Sequence, residues 1–93
     1  MQDWLLEVAD GQRVEEFLAY YERERSPEHR LAIAELIVAS LDRAYSLAPP
    51  PKSLLDRAAP VLKAYPDIVE YWSCPDAHID DEMFAVTPWI RSL

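Results

Sequence analysis

Residues 26–47 read SPEHRLAIAELIVASLDRAYSL, and the fold turns on them. Ser26-Pro27 has the form of a helix start, a side-chain N-cap followed by proline at the first helical position, where no backbone N–H is needed. Glu28 then suits the positive end of the helix dipole. At about 100° per residue, Leu31, Ile33, Ala34, Ile37, Val38, Leu41, Ala44 and Tyr45 cover nearly half the circumference. Glu28, Glu35 and Asp42, seven apart, form a narrow polar line on another side. The spacing predicts one long helix, ending near Leu47 and buried on most of its surface.

Working toward the N-terminus, Val14, Phe17, Leu18 and Tyr21 fall at i, i+3, i+4 and i+7, one stripe of an amphipathic helix within 12–25. Trp4 to Ala9 reads as a short helix with Asp10-Gly11 as its exit. A competing reading pairs WLLEV (4–8) with RVEEFL (13–18) as a hairpin through the Asp-Gly turn. The 3.6-residue period of the second segment favours helix.

Working toward the C-terminus, Ala48-Pro49-Pro50-Pro51 is a stiff, extended spacer. Ser53 to Asp56 matches a capping box, with Asp in place of the usual Glu or Gln. Leu54, Ala58, Val61, Leu62 and Tyr65 share the face of the helix that follows. Pro60 interrupts that pattern, removing a backbone hydrogen bond and clashing with the preceding turn, so a kink or a split near residue 59 is expected. Pro66-Asp67 opens a short helix carrying Ile68, Val69 and Trp72 and ending by Ser73. Met83 to Val86 reads as briefly extended, and Thr87-Pro88 as the N-cap and first position of a terminal helix through Trp89 and Ile90. A single glycine and eight prolines suit helices separated by proline breaks better than tight hairpins. The expected fold is all-α, one domain over 1–93 with four or five helices; the alternative is α+β with a small hairpin near either end.

Composition bounds the function. An apolar fraction of 51% with 28% charged residues is that of a globular chain, and no uncharged run approaches the roughly 20 residues that span a bilayer. The first ten residues hold Asp3, Glu7 and Asp10 without Lys or Arg, the reverse of a secretory leader. One cysteine cannot form an internal disulfide. A cytoplasmic protein is expected. The net charge of −8 argues against nucleic acid and anionic membranes, which are bound by clustered Lys and Arg. The charge is uneven: residues 66–93 hold six acids and one base, a net of −5, with no Lys or Arg between Lys63 and Arg91.

Within that segment, YWSCPDAHIDDEMF (71–84) gathers Cys74, His78 and four carboxylates. A closed zinc site wants paired Cys and His spacings, and the second half is missing. The glycine-centred EF-hand loop is missing too. A solvated acidic loop, holding no metal, is expected. Cys74 has His78 nearby as a base, but the surrounding acids disfavour the thiolate that a nucleophile needs. His29 reads as a surface residue. No glycine-rich phosphate loop or other cofactor motif is present. Together with the small core, this points away from an enzyme.

What remains is recognition. Tyr71, Trp72, Phe84 and Trp89 flank and follow the acids; of these Trp72, Phe84 and Trp89 are candidate anchors, and Asp76, Asp80, Asp81 and Glu82 are candidate acceptors for a partner's cations. The expectation is a small acidic module that docks on a basic protein surface. One concrete form is an immunity protein or antitoxin covering the substrate groove of a basic toxin enzyme. A structural adaptor or self-associating helical subunit, using the apolar face that includes Leu36 and Leu47, is the alternative. A metal-dependent enzyme at 71–84 comes last.

Overall fold

Val14, Phe17, Leu18 and Tyr21 form a single buried stripe on helix α1, Val14–Arg23. Four further helices are present in the computed structural model, which describes residues 10–75 and 83–93: α2, Pro27–Leu47; α3, Lys52–Lys63; α4, Pro66–Ser73; and α5, Thr87–Arg91. No strand lies among the described residues, and the chain is a small all-α bundle. No described helix is long and apolar enough to cross a membrane. The short helix read at Trp4 to Ala9 lies outside the described residues.

The middle of α2 is surrounded. Ile37, Val38, Ala39, Ser40 and Leu41 are all buried. At about 100° per residue, five consecutive positions pass once around the helix. Burial thus extends beyond the arc predicted from the apolar residues, because Ala39 and Ser40 are inside as well. Ser40 is tolerated there because its Oγ accepts the Asp10 backbone N–H at 3.0 Å, so neither group is left unpaired. The two ends of the helix escape the packing: Leu31 is 40% and Leu47 88% exposed.

α1 and α2 run antiparallel, since Tyr21 near the end of α1 meets Arg30 near the start of α2, and Gly11 meets Ala44. Arg30 Nε is buried without a hydrogen-bond partner, and the guanidinium lies over the Tyr21 ring, 4.3 Å from its centroid. That contact offsets part of the lost hydration. The Tyr21 and Tyr65 hydroxyls share a hydrogen bond at 3.1 Å, and this bond, with burial second, pushes the Tyr65 phenol upward. α3 packs on both α1 and α2, α4 packs on α3, and α5 packs on α4.

Several starts differ from the sequence reading. Ser26 occupies the N-cap of α2, with Pro27 next, but its side chain makes no capping bond. Glu24 organises the turn instead: its Oε1 accepts the N–H groups of Arg25 and Ser26, both at 3.0 Å. Those bonds, the Ser26 one first, hold its carboxyl below the usual range, and His29, itself exposed, adds to this with Nδ1 at 3.8 Å. The capping box at Ser53 does not form. Pro51 is the N-cap of α3, and its carbonyl receives Leu54 and Leu55 N–H at 3.1 and 3.2 Å, which leaves Ser53 inside the first turn. Pro60 does not split α3, which continues to Lys63 with the proline on its exposed side. Met83 to Val86 is a turn rather than an extended segment, closed by Thr87 N–H on the Phe84 carbonyl at 3.1 Å.

Asp10-Gly11 opens the next element. Gly11–Arg13 is a 3-10 turn leading directly into α1, and the Asp10 side chain caps it by accepting Gln12 N–H at 2.9 Å. The RVEEFL arm of the competing hairpin is therefore helical. Gly11 is not needed for a positive φ. It is needed for space, since a Cβ there would lie 2.9 Å from the Cα, Cβ and N of Ala44. In an unstrained site, Gly→Ala stabilises by about 0.4–1 kcal/mol through the unfolded chain; here overpacking against backbone reverses the sign. Urea unfolding of Gly11→Ala is expected to show a loss of roughly 1–3 kcal/mol. Unchanged or raised stability would mean that the 3-10 turn does not sit this close to α2.

Candidate functional site

The described residues on either side of the acidic segment, 72–75 and 83–91, are in contact. Cys74 terminates α4 in the left-handed region at φ 49, ψ 62, the only positive-φ non-glycine residue among those described. A glycine would adopt that conformation without cost. Arg91 reaches across from α5 and donates from Nε to the Ser73 carbonyl and from Nη2 to the Cys74 carbonyl, both at 2.7 Å. A cation over the last carbonyls of a helix meets the negative end of its dipole. The sole base of residues 66–93 is thus used within the fold.

Thr87 makes the second junction. It is buried, and its hydroxyl donates to the Trp72 carbonyl at 2.8 Å while accepting the Phe84 N–H at 3.0 Å. It therefore does not serve as the N-cap of α5. Val86 holds that position, and its N–H is bonded to Asp42 Oδ1 on α2 at 3.1 Å. Cys74 Sγ lies 3.7 Å from Thr87 Oγ1 and 4.0 Å from the Tyr71 and Trp72 carbonyls. These neighbours are polar, but none is a general base.

The aromatic residues divide by exposure. Trp72 is 4% exposed and belongs to the core, so a partner would not reach it directly. Its ring packs against Phe84 with centroids 4.3 Å apart and against Tyr71 at 5.7 Å. Tyr71, at 5.8 Å from Phe84, is 50% exposed, and Phe84 is part-buried. Trp89 is part-buried and packs against the core. The ring that faces outward is therefore Tyr71, supported from beneath by Trp72 and Phe84. Asp76, His78, Asp80, Asp81 and Glu82 lie outside the described residues.

Tyr71, Thr87, Arg91 and Asp42 carry this geometry; the sequence reading set Tyr71 among the aromatics beside the acids without naming it an anchor, and gave the other three no role at the site. Arg91 had a visible signal, as the one cation after Lys63 in an acidic third. Asp42 had none, because its spacing placed it on a polar line with Glu28 and Glu35. Among the described residues, no group of three or more His, Cys, Asp and Glu side chains is placed to hold a metal ion. At the C-terminal end of α2, a groove of about 900 Å³ runs between Asp10–Gln12 and Leu47–Pro51; its lining contains no His or Cys.

No protein-family model, no curated protein and no solved structure matches the chain.

Removing the Thr87 hydroxyl at constant shape tests the junction. Thr87→Val leaves the Trp72 carbonyl and the Phe84 N–H without this partner, with an expected loss of roughly 1–3 kcal/mol in urea unfolding. Thr87→Ser keeps the hydroxyl and should recover most of the bonding, losing only the methyl. Equal losses in the two variants would show that packing, not the hydrogen bonds, holds α5.

Proposed function

We propose that this chain is a non-catalytic binding module whose acidic, aromatic C-terminal third docks on a basic protein surface. The observation that carries the proposal is the half-exposed Tyr71 ring, packed against Phe84 and edge-on to Trp72 where the chain enters and leaves a segment of high negative charge. A rigid aromatic with a polar tip gives contact area at little entropic cost, and aromatic residues are enriched where binding energy concentrates. Carboxylates around it attract a cationic partner over distance and accept hydrogen bonds from Arg and Lys on contact. The acids of 76–82 lie in a stretch, 66–93, that holds six acids and one base.

In this proposal Tyr71 replaces Trp72 as the central anchor, Phe84 and Trp89 contribute at its margin, and Asp76, Asp80, Asp81 and Glu82 supply the charge. A protein of the immunity or antitoxin kind, acting in the cytoplasm on a basic toxin enzyme, is the concrete form that suits these features. A second reading, a self-associating helical subunit, draws on the exposure of Leu31 and Leu47 at the two ends of α2.

A pull-down with the full chain as bait, followed by binding kinetics at several salt concentrations, tests the proposal. The partner is expected to be basic, with k_on falling steeply as salt rises. Replacing Asp80, Asp81 and Glu82 with Asn, Asn and Gln should slow association, while Tyr71→Ala should chiefly speed dissociation. A partner that binds both variants unchanged would remove the surface. A salt-independent homodimer in light scattering, lost in Leu47→Glu, would favour self-association instead.

A further inference from the structure

We infer that α4 and α5 form one cooperative unit that unfolds while the body of α1, α2 and α3 stays folded. The packing is hierarchical: α5 rests on α4, α4 rests on α3 and α5, and the α1–α2 pair is built around the 3-10 turn and α3. The hydrogen bonds follow the same division. Within the unit, Thr87 joins Trp72 and Phe84, and Arg91 joins Ser73 and Cys74. Between the unit and α2, the described long-range bond is Val86 N–H to Asp42 Oδ1. The Tyr21–Tyr65 bond lies at the joint itself.

That joint is short. Tyr65 N–H ends α3 on the Leu62 carbonyl at 2.9 Å, and the Tyr65 carbonyl starts α4 by accepting Ile68 and Val69 N–H at 3.0 and 3.3 Å. Pro66 follows, with no N–H of its own, so no helical hydrogen bond can be donated across the break at that position. Helices of eight and five residues do not persist alone in water. Once Asp42 and α3 release them, α4 and α5 therefore unfold together. Trp72, Val86 and Ile90 are buried in the core shared with α1, α2 and α3, and the cost of exposing them keeps the open form a minor state. Tyr71 and Phe84 both belong to the unit, so the aromatic patch is assembled and dismantled as a whole. The inference stands without the docking proposal, and its test needs no partner.

Native-state amide exchange on the full chain, followed across low urea where exchange reports the opening equilibrium, reads this directly. The slowest amides of α4 and α5 are expected to share one opening free energy and one urea dependence, both smaller than those of α2. Gly11→Ala weakens only the body, so it should speed exchange in α2 by roughly tenfold or more and leave α4 and α5 unchanged. Ile37→Val does the same more gently, roughly two- to tenfold, should Gly11→Ala fail to fold. Thr87→Val should speed α4 and α5 by a common factor. Acceleration of α4 and α5 alongside α2 in a body variant would overturn the inference, as would different responses of α4 and α5 to Thr87→Val.

Discussion

Burial of α2 on every side at its middle is the constraint on which the rest of the structure depends. A helix packed on one face can be covered by a single neighbour, but Ile37 to Leu41 present side chains around the full turn. A chain of 93 residues has few elements to meet that demand. α1 and the 3-10 turn pack on α2, α3 packs on both α1 and α2, and Val86 is brought to Asp42. Even the one polar residue in the encircled stretch serves this end. Ser40 fixes Asp10, Asp10 caps the 3-10 turn, and the turn brings Gly11 against Ala44 closely enough to exclude a Cβ.

From this arrangement the C-terminal third acquires its character. α5 packs on α4 and α4 on α3, and Ile68, Trp72, Val86 and Ile90 share the core with the first three helices, while polar bonds add fixed points between α4 and α5. Arg91 on the end of α4 and the Thr87 hydroxyl on the Trp72 carbonyl fix the two points between which the acidic segment runs. Side-chain bonds to backbone carbonyls set position without needing area, which suits a short terminal helix. Tyr71 stays half-exposed beside Trp72 and Phe84. The outward aromatic thus belongs to the acidic third of the sequence.

Periodic features were legible in the sequence, and features decided by a single side-chain direction were not. The stripe of α1, both ends of α2 and the span of α4 all follow from apolar spacing and proline position, because each is over-determined by several residues. The caps were not legible. Ser26, Ser53 and Thr87 each match a capping pattern, yet one makes no such bond, one lies inside the helix, and one turns its hydroxyl to a neighbouring helix. A hydroxyl has several acceptors within reach, and tertiary packing chooses among them. At the candidate site, aromatic and acidic composition marked the right third of the chain. It could not tell Trp72, which is inside, from Tyr71, which is out, since adjacent residues on a helix differ by about 100° and both rings suit either place.

The encirclement of α2 is tested most directly at Ala39, which lies off the apolar arc and is buried. Urea unfolding of Ala39→Leu should show a loss of roughly 1–3 kcal/mol, as overpacking of a filled interior requires. If the central helix instead had a free face at this position, the leucine would be accepted at wild-type stability or better, and that result would contradict the account.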